Sequence, residues 1–503
     1  MNKKLLKFIV LCSSSLTLFL AGCQAGGDSK NQGQASQDSY QVGQSLVASD
    51  LDPLSSSWSL ASHGVAEYVY QQDPDGNLYS RYIAELNHVD DNTWQATTKN
   101  EAKFADGSVV DAPALAECLN EIQEKNPLAN ATAGKMTFTA DDDSHLTITT
   151  ERPTQVMDSV LGEWTNVVYK RDGDQVIYSG PYQAKNLQSE EKLDLEPNPN
   201  YPDADQRKNV TITAFNDEAA MKSAFQSGEL DLIAPISPNL KEQLDKAGQK
   251  TQSYDAGYQY FALVNIQRPL FKEAKMRQAL DLALNREDYL KALKGGRLPS
   301  GLFADIYSFN ADVPLEHDSE KAEALLDELG WKKNDQGQRE KDGQALELNV
   351  ATLSFRQDLV TIGQILSSQL NPLGIKVNVQ ALDNAEDVKT GSPYDLLLYS
   401  QHTAPSGEPS YFLNQFFRSD GSNNRFDYSN PEVDQELDQL GHEATPEKRD
   451  EIAKSIQEKI INDRPIIRLV DPEWHAGVGA DLGDYQLYCG DYYIVNPSLG
   501  VNK

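Results

Sequence analysis

Residues 258–296, YQYFALVNIQRPLFKEAKMRQALDLALNREDYLKALKGG, read as a strand, a proline turn and one long helix. Tyr260, Phe261, Ala262, Leu263 and Val264 form a near-continuous apolar run, the pattern of a strand buried on both faces, and Asn265 followed by Pro269 ends it. Beyond the turn, Met276, Ala279, Leu280, Ala283, Leu284, Leu290 and Leu293 recur near the 3.6-residue period, with Lys275, Arg277, Asp281, Arg286 and Glu287 between them. Gly295 and Gly296 supply the stop.

Working outward, strands and helices of unequal length alternate. Ser45–Ala48, Met136–Thr139, His145–Thr149 and Val210–Ala214 are strand-like by alternation or β-branched content. Helices are expected over 111–124, 217–227, 319–329, 361–370 and 446–461, the last opened by Thr445 as cap and Pro446 at the first helical position. The apolar stretches 376–379 and 394–398 add strands around a helix, a βαβ-type arrangement. A second short apolar strand, Ile466–Val470, is closed by Asp471-Pro472 and leaves only a short tail, too short for a domain of its own.

The first residues have the form of an export signal. Lys3, Lys4 and Lys7 precede an apolar run from Phe8 to Leu20, and small residues precede Cys23. The stretch after Cys23 is rich in Gly, Ser, Gln and Asn, which cannot bury surface, so 23–39 is expected to be a flexible tether and the fold to begin near Tyr40. No other segment is apolar enough to span a bilayer. The 503 residues carry a formal net charge of −31, which repels phosphate polyanions and argues against nucleic acid as a partner. Cys118 and Cys489 are left once Cys12 goes with the signal and Cys23 is set aside; outside the membrane they could pair, or remain two small buried residues.

No H-E-x-x-H, G-x-S-x-G, P-loop or CxxC pattern occurs, which disfavours a hydrolase or an ATPase. Asp73-x-Asp75-x-Asn77 opens like a calcium loop, but Leu78 stands where Gly is needed and Ala84 where the bidentate Glu belongs, so it reads as a turn.

The chain resembles a known family at several points in order. The strand ending in Asn265, then P-L-F and K-M-R-Q-A-L-D-L-A-L-N-R-E, is similar to the most recognisable segment of extracellular solute-binding protein family 5, the receptors of ABC importers for peptides and nickel. Upstream, EPNPNYPDADQRKNVTITAFNDEAAMKSAFQSGELDLI (196–233) repeats the family's Asn-Pro-x-Tyr, strand, helix and Ser-Gly-Glu-x-Asp pattern. Shorter likenesses lie at Leu51-Asp52-Pro53, Lys103-Phe104-x-Asp106-Gly107, Ser179-Gly180-Pro181-Tyr182, Tyr394-Asp395-Leu396 and Tyr428-x-Asn430-Pro431-x-Val433-Asp434.

This resemblance implies an α/β, two-lobed periplasmic-binding-protein-like fold of the large cluster C type, with a hinge and an interlobe cleft. It places lobe I at 40–257 and 475–503, with an inserted subdomain at about 60–165, and lobe II at 258–474. Leu20-Ala21-Gly22-Cys23 resembles a bacterial lipobox, so 1–22 would be a lipoprotein signal and Cys23 the acylated residue, which puts the protein on the extracellular face of the cell membrane. The expected partners are the permease and ATPase subunits of an importer, with the receptor a monomer. No cofactor and no catalysis are implied; an extracellular metal-dependent hydrolase is a remote alternative.

The resemblance also directs attention to Tyr399–Phe412, YSQHTAPSGEPSYF. Peptide-binding relatives carry here an Asp that holds the ligand's amino group; in this chain the only acid is Glu408. Ala404-Pro405-Ser406-Gly407-Glu408-Pro409 and REKDGQALEL (339–348) look more like nickel-binding members. His63, His402 and His475 fall in segments expected to face the cleft and are the candidate metal ligands, while Trp58, Trp164, Tyr399, Tyr411 and Trp474 are candidate walls. For a ligand carboxylate the candidates are Lys170, Arg171 and Arg425. The expected cargo is nickel or a related divalent metal, carried as a small-molecule chelate, with a di- or oligopeptide as the alternative.

Overall fold

A computed structural model describes residues 39–501. The expected signal, Cys23 and nearly all of the tether lie outside that range; Ser39, assigned above to the tether, is the first residue of a strand. Among the described residues no helix is long and apolar enough to cross a membrane.

Two sheets organise the chain. The first has seven strands in the order 182–188, 192–197, 209–214, 39–44, 232–236, 473–478 and 251–255. The second has five, in the order 376–382, 347–353, 396–402, 258–264 and 466–470. Tyr258–Val264 lies inside the second sheet, antiparallel to both neighbours, and every residue from Gln259 to Val264 is buried, which is why it reads as an uninterrupted apolar run. The βαβ unit 347–353, 357–370 and 376–382, with its two strands parallel, forms the edge of the sheet beyond strand 396–402.

The chain passes from the first sheet to the second at Ala256-Gly257 and returns at Asp471-Pro472. The return comes earlier than expected: Glu473 and Trp474 begin a strand of the first sheet, because that strand pairs with 251–255 from Glu473 onward. The tail stays with the first lobe, where Tyr485, Leu487, Tyr492, Tyr493, Ile494 and Leu499 join the core that holds Val42, Leu193 and Ile212. A four-stranded antiparallel sheet (83–90, 93–98, 145–150 and 136–140) packs with the helix Ala112–Lys125 into that same core.

Other expectations need correction. The single long helix is three, Pro269–Lys272, Ala274–Leu282 and Arg286–Leu293, because Glu273 is extended and Asn285 breaks the run to cap the third, its side chain accepting from Glu287 N. Ser45–Ala48 forms no strand; the strand ends at Gln44. The helix expected from residue 361 begins at Gln357. Thr445 holds the cap position without a side-chain cap bond. Asp73 forms a turn, its Oδ1 accepting from the backbone N–H groups of Asp75 and Asn77. Cys118 and Cys489 are free thiols: Cys118 is buried in the helix 112–125, and Cys489 Sγ lies 3.4 Å from His402 Nε2.

Candidate functional site

A cleft of about 1160 Å³ opens between the two sheets. The first lobe lines it with Gln44–Leu46, the helix at 57–62, residues 215–218 and 235–239, Trp474 and the tail residues Asp491 and Tyr492. The second contributes Tyr258 and Tyr260 from its central strand, 353–358 from the turn after a buried strand, and Tyr399, Tyr411 and Arg425. The expected wall residues Trp58, Trp164, Tyr399, Tyr411 and Trp474 all face this space, as does Arg425.

The lobes touch across it. The Trp164 indole N–H donates to the Tyr411 hydroxyl. Ser159 and Ser406 meet through their hydroxyls at 2.7 Å, and Arg152 pairs with Asp420 at 2.7 Å. Beside Trp164, burial pushes the Glu163 carboxyl up to about 8, and the Thr132 hydroxyl donates to it.

The three candidate histidines do not converge, which corrects the expected metal constellation. Only His63 lines the cleft: it is buried, its Nε2 lies 3.2 Å from Gln44 Oε1, and the Leu46 backbone stands beside its ring. Burial lowers its pKa to about 4, so the imidazole is neutral at pH 7. His402 is packed behind the cleft, edge-on to Tyr258 and Tyr492, with its pKa lowered by burial to about 3. His475 sits in the first sheet, its Nδ1 2.9 Å from the Ser253 hydroxyl, and burial lowers its pKa too. No group of three or more His, Cys, Asp or Glu side chains able to hold a metal ion occurs among the described residues. Any ion held here must bring most of its own ligands.

Among the carboxylate-anchor candidates, Lys170 is held by Asp106 and Arg171 by Glu121, outside the cleft. Arg425 stacks over Tyr399 at 5.6 Å and donates to the Ala385 carbonyl; its Nε has no partner, and no carboxylate pairs with it among the described ion pairs. Glu408, the only acid of the 399–412 loop, is committed to Arg449 by a two-pronged pair at 3.0 and 2.8 Å.

Sequence reasoning missed two parts of the site. Arg356 and Asp358 face each other at 3.1 and 2.7 Å, with Arg356 also donating to Tyr260 and Ser400 and lying 5.9 Å from the Trp474 ring. Burial opposes the charge on Asp358, but the Arg356 guanidinium outweighs it and holds the carboxyl below its ordinary pKa. Asp491 and Tyr492 come from the tail, and the Tyr258 hydroxyl donates to Asp491 at 2.8 Å. The available signals were an Arg-x-Asp directly after a buried strand and an acid inside the aromatic run Asp491-Tyr492-Tyr493. Acids outnumber bases along the lining: Asp217, Glu218, Asp358, Glu473 and Asp491 against Lys294, Arg356 and Arg425.

Two α/β lobes joined by two crossings around an aromatic, charge-bearing cleft define a solute-binding receptor. Residues 79–424 match the model of the bacterial extracellular solute-binding proteins, family 5 (middle). The chain belongs to that family, whose members serve as the substrate receptors of ABC importers. It is 25% identical over 446 residues to the nickel-binding protein NikA of Staphylococcus aureus, covering 86% of this chain and 88% of that one. The solved structure of S. aureus NikA with Ni(L-His)2 superposes with a TM-score of 0.80 at 21% identity, over 91% of this chain and 98% of the other. The oligopeptide-binding protein AppA of Bacillus subtilis, solved with a nonapeptide, superposes with a TM-score of 0.76 at 19% identity, over 90% and 96%. At these identities the two superpositions establish the shared fold.

Proposed function

We propose that this receptor captures nickel, or a similar divalent metal, as a complex with small organic chelators, and delivers it to the permease of an ABC importer from a lipid anchor at Cys23. The observation that carries this reading is His63, a neutral imidazole in the cleft wall held only by neutral partners, Gln44 and the Leu46 backbone. Imidazole suits nickel, copper and zinc. A single protein imidazole leaves the other coordination positions to a chelator, which keeps the complex releasable. The net acidic lining favours a cationic cargo. The NikA relative, named for nickel and solved with a histidine complex, supports the same choice. Its test is titration of nickel with excess L-histidine into wild type and His63→Ala, with affinity expected to fall about tenfold or more. Equal affinities would remove His63 as a ligand, and no binding of nickel with histidine by wild type would overturn the metal reading.

The peptide reading draws on the AppA relative, solved with a nonapeptide, and on the size of the cleft. Its 1160 Å³ exceeds the roughly 300–1,000 Å³ of a drug-sized site and leaves space beyond a compact chelate. Against it stands Glu408, whose pairing with Arg449 removes the loop's only acid from service as an amino-group anchor.

A further inference from the structure

Of the two half-buried carboxylates in the cleft, Asp358 and Asp491, only Asp491 lacks a cationic partner among the described ion pairs. Asp358 is neutralised by Arg356, Asp217 caps a helix by accepting from Ala219 N, and Glu218 accepts from the backbone and hydroxyl of Ser237. Glu473 is exposed at the mouth. Asp491 is half-buried in the wall, its Oδ1 accepts from the neutral Tyr258 hydroxyl with the Trp58 indole beside it, and no Lys, Arg or His pairs with it among the described ion pairs.

The tail is shaped to deliver this side chain. Cys489 and Gly490 take consecutive left-handed conformations, at φ 52° and 63°. A Cβ on Gly490 would come within 2.7 Å of the Tyr258 ring, so the backbone lies against that ring before Asp491 turns back to its hydroxyl. A non-glycine residue such as Cys489 held at positive φ is strained and persists where packing enforces it. Tyr258 is itself fixed by stacking on Trp474 at 4.5 Å. The carboxylate therefore stands on a rigid aromatic support, where a complementary cation is held more strongly than in water. Burial outweighs the Tyr258 and Arg356 contributions and raises the Asp491 pKa, so the charged form lacks a full counter-charge.

We propose that Asp491 receives the ligand's cationic nitrogen, accepting the N–H groups of an α-amino group that is either protonated or coordinated to the metal. The inference rests on the receptor reading and specifies its substrate: a chelator or peptide with a free α-amino group. Across the cleft, the ligand's carboxylate would then meet Arg425, which stacks on Tyr399 and has no carboxylate paired with it among the described ion pairs.

The test is a pair of titrations on wild type, Asp491→Asn and Asp491→Glu, each checked for folding by thermal melting. One probe is nickel with excess L-histidine, the other nickel with excess Nα,Nα-dimethyl-L-histidine, which keeps the coordinating nitrogen and loses its N–H donors when bound. Wild type is expected to prefer the first about tenfold or more, and Asp491→Asn less than about twofold. A wild type that does not discriminate overturns the assignment whatever the variants do, as does equal discrimination in wild type and Asp491→Asn. Trialanine and Nα-acetyltrialanine, which has no cationic amino group, are run in parallel. Binding of the peptide pair alone fails the nickel reading and still decides Asp491 by the same ratio. Binding of the nickel pair without discrimination fails Asp491 and leaves the nickel reading standing; no binding of either pair overturns both.

Discussion

Trp164 of the first lobe donates its indole N–H to the hydroxyl of Tyr411 in the second, so two residues that line the cleft also hold its sides together. The bond joins helix 410–417 to the segment after helix 157–161, and it depends on the lobes being close. Trp164→Phe keeps a ring and removes the donor. Ligand affinity should fall about 3- to 10-fold, the worth of one neutral hydrogen bond, with the melting temperature nearly unchanged. Calorimetry with nickel and excess L-histidine reads it; unchanged affinity would show that the contact adds nothing to closure.

The Glu408 and Arg449 pair fixes the loop after strand 396–402 rather than a ligand. Arg449 is buried and also donates to the Leu440 and Glu443 carbonyls, so Glu408→Ala strands its charge. Stability should drop by about 3–5 kcal/mol in a denaturant titration, while ligand affinity stays within about twofold. A large affinity loss with intact stability would instead make Glu408 an anchor.

His402 and His63 are neutral in the fold, with pKa values depressed by burial to about 3 and about 4 from 6.5. The unfolded chain binds these protons first, so the stability they contribute is complete above pH 6.5 and is lost as pH falls toward those folded values. Each histidine should cost about 1.4 kcal/mol per pH unit within that window. His402→Gln should therefore melt with a shallower dependence between pH 6 and 4 than wild type. Parallel curves would mean that His402 is not buried neutral.

Gly257 marks the first crossing, at φ 69°, and a Cβ there would stand 2.4 Å from His402 Cε1. Gly257→Ala combines a left-handed backbone with a collision against a buried ring. It should destabilise the fold by about 2–4 kcal/mol in the same denaturant titration. A loss below about 0.5 kcal/mol would show that the crossing adjusts freely.

The sequence makes the organisation of the chain legible where burial is uniform. The strand 258–264 is buried on both faces, so its apolar run needs no tertiary knowledge to recognise. Helices with Asp caps, such as Asp111 and Asp217, are found to within a residue for the same local reason. The break at Asn285 hides because the apolar period continues through it. In the site, aromatic and cationic residues such as Trp58 and Arg425 are placed by the segments that carry them. Histidines are not: His402 shares a strand face with the cleft-lining Ser400, but the rings of Tyr258 and Tyr492 pack against it and cover it. Asp491 escapes detection because its role depends on the tail folding back to Tyr258, far away in sequence.

The most direct test of the receptor's cargo titrates the wild-type chain lacking residues 1–22 in turn with nickel, nickel plus excess L-histidine, and a metal-free di- and oligopeptide mixture. The account predicts saturable one-to-one binding with nickel and histidine together, weaker binding with nickel alone, and no binding of metal-free peptides. Saturable peptide binding without metal, together with no heat from nickel and histidine, would contradict it.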